Sequence, residues 1–249
     1  MEILSVEIIL NKEDFSNGIK IVEKVTSQKA IQPILSNILI ETVSSDRIRF
    51  CATDLNLAIN YKTKAQVEKE GSITLSARKI SEIVSKLSSS EITLKSIDET
   101  NNVKIKSGKT EFDLISLNPD EFPKTTNETS QEEYKTVVLN KNEFSKAIKQ
   151  VIFAVSQQET QAVLTGVCFT IEGNILELAA TDGNRLTRIQ KEIRTPSDEL
   201  INFIVPSKTL QEVQRISSLV EDEDITLKIQ KNKILFEFED LAFQSRLID

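Results

Sequence analysis

The residue types that carry most protein chemistry are scarce in this sequence. It has no histidine, which removes the commonest general base, most zinc sites and most serine or cysteine nucleophile pairs. Its carboxylates concentrate in polar runs such as 221–224 (EDED), and no phosphate-binding glycine loop occurs. We therefore predict no catalytic residue, no metal ion and no cofactor, and we disfavour an enzyme.

The basic residues follow a pattern of their own, although the chain as a whole is acidic. The net charge is −7 and the isoelectric point is about 5.0, which argues against a simple basic DNA-binding module. Lysine and arginine nevertheless favour the predicted helices, while acids favour loops and outer strands. Two interpretations stay open here, ordinary solvated helix faces or faces that contact phosphates. The basic candidates on the helices are Lys20, Lys24, Arg78, Lys86, Lys146, Lys149, Lys208 and Arg215.

The elements that would position these residues occur twice along the chain. Segment 10–16 (LNKEDFS) returns as 139–145 (LNKNEFS), and 92–95 (ITLK) returns as 225–228. The segment 52–54 (ATD) likewise returns further on, with the same three letters. Matches in this order indicate an internal duplication of one fold.

Each copy alternates strands with two helices. Apolar residues at helical spacing predict helices over 12–25 and 77–87, then 141–154 and 207–218, with Asn11 as the N-cap of the first. We predict an α+β fold of tandem domains, each with two helices packed on antiparallel sheets. Strands are predicted at 3–9, 38–42, 47–52, 57–64, 72–75, 91–96, 101–106 and 110–117 in the first copy, and at 166–172, 175–180, 185–193, 201–205, 223–230, 232–238 and 240–247 in the second.

The duplication also predicts the domain boundaries. The first domain is expected at 1–123 and the second at 135–249, joined by a polar linker over 124–134 that lacks apolar periodicity. The second copy is expected to be truncated just before its end. Cys51 and Cys168 lie in apolar runs and are predicted to be buried. Because no signal peptide or membrane-spanning stretch is visible, we expect a cytoplasmic chain.

Several ordered motifs resemble the bacterial sliding clamps, the beta subunits of DNA polymerase III. The resemblance covers the whole chain in order, and the block after Ala180 is its most specific part. In that family three such domains form each subunit, and subunits close into a six-domain homo-oligomeric ring around duplex DNA. The resemblance therefore implies a processivity factor that binds DNA without sequence preference, here as the first two domains with the third absent. The motifs are 32–39 (QPILSNIL), 52–55 (ATDL), 120–123 (DEFP), 164–167 (LTGV) and 180–186 (ATDGNRL).

The resemblance also implies three groups of site residues. One half of a pocket for short apolar motifs of the replicative polymerase and the clamp loader maps to Leu164, Thr181, Gly183, Asn184, Arg185 and Leu186. Lys29, Gln158 and Gln161 fall on loops that face DNA, in addition to the basic helix residues above. The ring interface maps to Lys79, Ile83, Lys104, Lys106, Phe112 and Leu114, on a helix and a nearby edge strand.

The residues leave a second interpretation of the whole chain. A natural two-domain protein would form a ring from three copies, because six units are what closure needs, or it would bind partners without closing. The turn at 181–183 also has a purely structural interpretation as a capped turn, since 53–54 repeats its first half without the glycine.

Overall fold

The computed structural model describes residues 6–27, 32–97, 101–123, 134–158 and 160–248. The chain divides into two compact units, Met1–Glu128 and Thr129–Asp249. Part of the first predicted strand, Lys29 and most of the predicted linker lie outside the described residues. Within them, no helix is both long and apolar enough to cross a membrane.

The first unit has two antiparallel sheets and two α-helices in its described part. One sheet has the strand order β5-β1-β7-β8-β9, which places β9 at an edge. In the other, hairpin neighbours run in the order β4-β3-β2-β6. The elements are β1 (Glu7–Asn11), α1 (Lys12–Val22), β2 (Asn37–Ser44), β3 (Arg47–Thr53), β4 (Leu57–Lys64), β5 (Gln66–Lys69), β6 (Ser72–Ser76), α2 (Ala77–Lys86), β7 (Glu91–Ile97), β8 (Asn102–Ser107) and β9 (Thr110–Ile115).

The second unit repeats the plan with longer strands. Its β10, β13, β14 and β15 pair antiparallel in that order. The other pair, β11 and β12, forms one long hairpin whose register shifts around Gly173. The elements are β10 (Lys135–Asn140), α3 (Lys141–Val151), β11 (Gly166–Thr181), β12 (Leu186–Pro206), α4 (Ser207–Ser217), β13 (Asp224–Ile229), β14 (Lys233–Glu237) and β15 (Leu241–Arg246).

The repeated Leu-Asn-Lys motif performs the same two tasks in each unit. Asn11 is the N-cap of α1, and its side chain accepts a hydrogen bond from the Glu13 N–H. Asn140 caps α3 in the same way. The lysine that follows each cap, Lys12 or Lys141, donates through Nζ to a backbone carbonyl just beyond the second helix of its unit. The predicted cap is confirmed, and these two lysines stabilise the ends of neighbouring helices.

Each core contains a group of packed, buried phenylalanine rings. In the first unit the rings of Phe15 and Phe50 lie 5.9 Å apart, and neither is exposed. In the second, the ring of Phe144 lies 6.1 Å from that of Phe169 and 6.3 Å from that of Phe236. The aromatic residue that each repeated motif places on its first helix thus anchors the helix to the sheet.

One glycine lets the first helix approach its sheet closely. A Cβ at Gly18 would lie 2.5 Å from the Phe50 ring, nearer than carbon atoms can pack. The duplication aligns Gly18 with Ala147 and Phe50 with Leu178. The second unit therefore combines a slightly larger helix residue with a smaller strand residue, which conserves volume at this contact.

The α+β class and the paired helices are confirmed, whereas several predicted bounds are wrong. The α-helices predicted over 12–25 and 141–154 end at Val22 and Val151, and each continues as one 3-10 turn. The strands predicted at 166–172 and 175–180 form one strand because β12 pairs across the interruption. The short polar β5 was not predicted, and 110–117 ends at Ile115. Cys168 is half-buried rather than buried.

Candidate functional site

The same turn closes a hairpin in each unit. In the second, Thr181 Oγ1 donates to the Arg185 carbonyl at 2.7 Å and accepts from the Gly183 N–H at 3.1 Å. Asp182 Oδ1 accepts from the N–H groups of Asn184 and Arg185, both at 3.0 Å. These two backbone bonds are the main cause that lowers the pKa of Asp182 below its usual value.

The first unit makes the equivalent bonds with a different sequence. Thr53 Oγ1 donates to the Leu57 carbonyl at 2.7 Å, and Asp54 Oδ1 accepts from the N–H groups of Asn56 and Leu57 at 2.9 and 2.7 Å. The central residue has positive φ in both copies, 75° at Leu55 and 89° at Gly183. Threonine and aspartate therefore build the turn, as the structural interpretation expected.

The second turn differs from the first in the side chains that surround the shared threonine and aspartate hydrogen bonds. Leu186 is 70 % exposed, whereas the aligned Ala58 is buried. Arg185 stands where the first unit has Leu57, and its guanidinium lies over the ring of Phe153, 5.4 Å from the centroid. An exposed leucine and an ordered arginine are thus added to a turn that folds without them.

A recess of about 260 Å³ adjoins this turn. It brings together three predicted pocket residues, Leu164, Gly183 and Asn184, with two residues predicted to face DNA, Gln158 and Gln161. The loop that carries the glutamines is tied to the pocket wall, because the Ser156 N–H donates to the Leu164 carbonyl at 2.8 Å. The described residues that line the recess are Ser156, Gln158, Thr160, Gln161, Leu164, Asp182, Gly183 and Asn184.

The other predicted pocket residues lie around the recess without lining it. Thr181 is occupied by the turn itself. Arg185 points its Nη2 to the carbonyl of Phe153 at 2.9 Å, and Leu186 is open to solvent. Sequence reasoning missed Phe153, which is 57 % exposed in the 3-10 turn after α3. The available signal was a large apolar residue at the end of a predicted helix, just beyond the residues that form its buried face.

The basic helix residues fall into two groups. Three form ion pairs with acids on their own helix: Arg78 with Glu82 at 3.1 Å, Lys146 with Glu143 at 2.8 Å, and Arg215 with Glu212 at 2.7 Å. Arg215 is half-buried, which limits its reach. The exposed residues Lys24, Lys86, Lys149 and Lys208 form no ion pair with any described residue, and Lys20 is exposed beside a groove between α1 and α2.

Glu143 forms ion pairs with two lysines. Besides Lys146 it accepts from Lys191 Nζ at 2.7 Å. The hydrogen bond from Lys146 and then that from Lys191 lower the pKa of this carboxyl from 4.5 to about 2. Because Glu143 stays ionised, Lys146 must break this ion pair before it can bind a phosphate.

The predicted ring-interface residues lie on both faces of one sheet, in β8 and β9, and on helix α2. Phe112 and Leu114 of β9 pair with Ile105 and Val103, which are buried, so they share the core side of the sheet. Lys104 pairs across β8 and β9 with Asp113, on the opposite side. Glu111 raises the pKa of Lys104 through a 3.1 Å hydrogen bond. Lys106 is on the side of Lys104, and Lys79 and Ile83 lie on α2 with Lys79 exposed and Ile83 half-buried.

The duplicated α+β unit with paired helices defines the architecture of DNA-clamp domains, and comparisons with known proteins agree. The model of the DNA polymerase III beta subunit N-terminal domain matches residues 6–126, and that of the central domain matches 138–249. The chain belongs to the DNA polymerase III beta subunit family. This conclusion confirms the resemblance drawn from the motifs.

Relatives share about a third of the sequence. A beta sliding clamp of Halalkalibacterium halodurans is 32 % identical over 97 % of this chain and 64 % of its own length. The Bacillus subtilis sliding clamp structure has a TM-score of 0.90 at 29 % identity, covering 98 % of this chain and 65 % of that one. A Bartonella birtlesii clamp solved bound to griselimycin has a TM-score of 0.89 at 30 % identity, with the same coverage. The chain thus spans about two thirds of the length of its relatives.

Proposed function

We propose that this chain supplies the first two domains of a non-catalytic DNA sliding clamp, which encircles duplex DNA and tethers the replicative polymerase. The observation that carries the proposal is the set of exposed helix lysines that have no acidic partner among the described residues, in an otherwise acidic chain. Such a distribution favours contact with phosphates and discourages other contacts. Because phosphate contacts read no bases, a clamp held by them slides.

The salt dependence of DNA binding tests this proposal. Replacing Lys24, Lys86, Lys149 and Lys208 with alanine removes up to four phosphate contacts. We expect the slope of log K against log salt concentration to become less steep by up to about 3.6, since each of the four contacts contributes about 0.9. Fluorescence anisotropy with a labelled duplex, repeated at several salt concentrations, measures this slope for the wild type and the variant.

A matched control separates this effect from net charge. Alanine at Lys62, Lys64, Lys109 and Lys231, which are exposed lysines on strands and hairpin turns, changes the net charge by the same amount. We expect its slope to stay near that of wild type. Equal losses in the two quadruple variants would refute the assignment of the helix faces to DNA.

We further propose that the β11–β12 turn binds short apolar peptide motifs of the polymerase and the clamp loader. The recess lined by Leu164 and Asn184, with exposed Leu186 beside it, supports this role. Burying most of a leucine side chain on binding contributes roughly 1.5 kcal/mol, so Leu186→Ser should weaken peptide affinity about tenfold. Leu200 is a matched control, because it is 59 % exposed on the same strand, far from the turn.

The β9 edge is proposed as the ring interface. An edge strand presents unpaired backbone groups to a neighbour, and Ile115 at its end is 70 % exposed. Analytical ultracentrifugation of the chain compares this proposal with the two-domain alternative. A species of three chains would favour a trimeric ring, whereas a monomer at all concentrations would exclude it.

A further inference from the structure

Arg185 is held by three contacts at one end of its guanidinium. Its Nε donates to Asp182 Oδ2 at 3.0 Å, its Nη2 donates to the Phe153 carbonyl at 2.9 Å, and the group lies over the Phe153 ring. The Nη1 end has no hydrogen-bond partner among the described residues. Ordering an arginine side chain costs substantial rotamer entropy. Arg185 is nevertheless held in place, and the N–H donors of its Nη1 remain available to a ligand.

These contacts are not required for the turn to fold. At the positions of Phe153 and Arg185 the first unit has Lys24 and Leu57, and neither an aromatic ring nor a guanidinium is present. The turn in that unit still closes through the same threonine and aspartate bonds. The pair in the second unit is thus an addition to a self-sufficient turn.

Burial does not explain the pair either. Phe153 is 57 % exposed as a residue and the side chain of Arg185 is 58 % exposed, so the two groups contribute little to the core. An exposed ring beneath a guanidinium has one clear physical effect, which is to restrict the directions that the guanidinium samples. The backbone carbonyl of the same residue restricts it further.

We propose that Phe153 is a positioning residue that orients Arg185 to donate, through Nη1, to an acceptor oxygen of the bound peptide. This inference rests on the peptide site proposed above. The ligand that fits is an extended peptide with a leucine-like side chain for the surface at Leu186 and a carbonyl or carboxylate oxygen beside it. Phe153 acts through Arg185 and does not itself contact the peptide.

Affinity in two backgrounds tests this role. The probe is a fluorescein-labelled peptide of about ten residues carrying the apolar motif of a bacterial replicative polymerase. Phe153→Leu keeps an apolar side chain but removes the ring, and we expect the Kd to rise about two- to fivefold. Phe153→Tyr should restore wild-type affinity. In the Arg185→Ala background, Phe153→Leu should have no further effect, and an equal effect in both backgrounds would overturn the proposal.

The motion of Arg185 gives a readout that does not depend on the peptide. In ¹⁵N NMR spectra the two Arg185 Nη signals, assigned by their loss in Arg185→Lys, should exchange with each other slowly in wild type and rapidly in Phe153→Leu, because the ring opposes rotation of the guanidinium about its Nε–Cζ bond. Equal exchange in both proteins would overturn the positioning role. If the exchange differs but no peptide binds wild type, the positioning of Arg185 stands and the peptide site itself is refuted.

A pair of probe peptides identifies the acceptor. When a glutamate next to the apolar motif is changed to glutamine, an affinity loss that disappears in Arg185→Ala supports a carboxylate acceptor. Equal affinity of the two peptides for wild type, with a continued dependence on Arg185, supports a backbone carbonyl. Affinity that ignores Arg185 for both peptides would overturn the proposal.

Discussion

Replacing Gly183 with alanine tests whether the second turn needs a residue without a side chain. The backbone has φ of 89° at this position, and a Cβ placed there would meet no atom within 4 Å. The cost is therefore one of backbone conformation alone. An L-residue forced into the left-handed region costs about 1–2 kcal/mol, so we expect Gly183→Ala to lower the free energy of unfolding of the second unit by that amount.

Gly173 supplies a matched control in the same hairpin. It also has positive φ, 57°, and open space around its Cβ position, so Gly173→Ala should cost about the same. It lies eight residues along β11 from Thr181, or roughly 25 Å at the rise of an extended strand. Urea unfolding followed by far-UV circular dichroism, with hydrogen exchange of β12 amides, measures both losses.

Peptide affinity then separates the two variants. Only Gly183→Ala changes the wall of the recess, so we expect weaker peptide binding for it and wild-type affinity for Gly173→Ala at temperatures where both are folded. Wild-type stability of Gly183→Ala would refute the strain argument. Equal affinity losses in the two alanine variants would show that peptide binding senses unit stability rather than the turn.

Three further variants test the structural roles described above. Lys141→Ala removes a charged donor to a carbonyl at a helix end, so urea unfolding should show a loss of about 1.5–3 kcal/mol, whereas exposed Lys149→Ala should stay within about 0.5 kcal/mol of wild type. Gly18→Ala overpacks the first core by about 1–3 kcal/mol, and adding Phe50→Leu should recover part of that loss; additive losses would contradict the close approach. The ion pairs of Glu143 stabilise the fold above its ordinary carboxyl pKa of 4.5 and are lost as pH falls towards 2. The difference in unfolding free energy between wild type and Glu143→Gln should therefore shrink across that interval, and a constant difference would contradict the assignment.

The elements that sequence reasoning located well are those specified by local chemistry. Asn11 begins its helix as predicted, and Asn140 begins the equivalent helix of the second unit, because an N-cap needs only a side chain and the next two or three backbone N–H groups. The apolar spacing that predicted each first helix includes Phe15 and Phe144, whose rings pack against the sheet in the structure. The duplication strengthened these predictions, since the same local pattern occurs in both copies.

The elements that sequence reasoning placed poorly depend on partners that are distant along the chain. Two strands were predicted on either side of 173–174, yet pairing with β12 continues through this point with a shift in register. The strand β5 has the polar sequence QVEK, and its place is set by pairing with β1, some sixty residues earlier. The contact of Arg185 with Phe153 joins residues 32 apart, and no spacing rule connects them.

Comparison of the two copies divides the candidate site into a frame and its additions. Thr181 and Asp182 recur as Thr53 and Asp54 with the same hydrogen bonds, so their replacement should disturb folding and binding together. Arg185 and Leu186 have no counterpart of their kind in the first unit, and both are exposed. Because the additions rest on a frame that folds without them, a loss of binding with unchanged stability is the signature expected of their replacement. That signature distinguishes a peptide site from a turn that is merely structural.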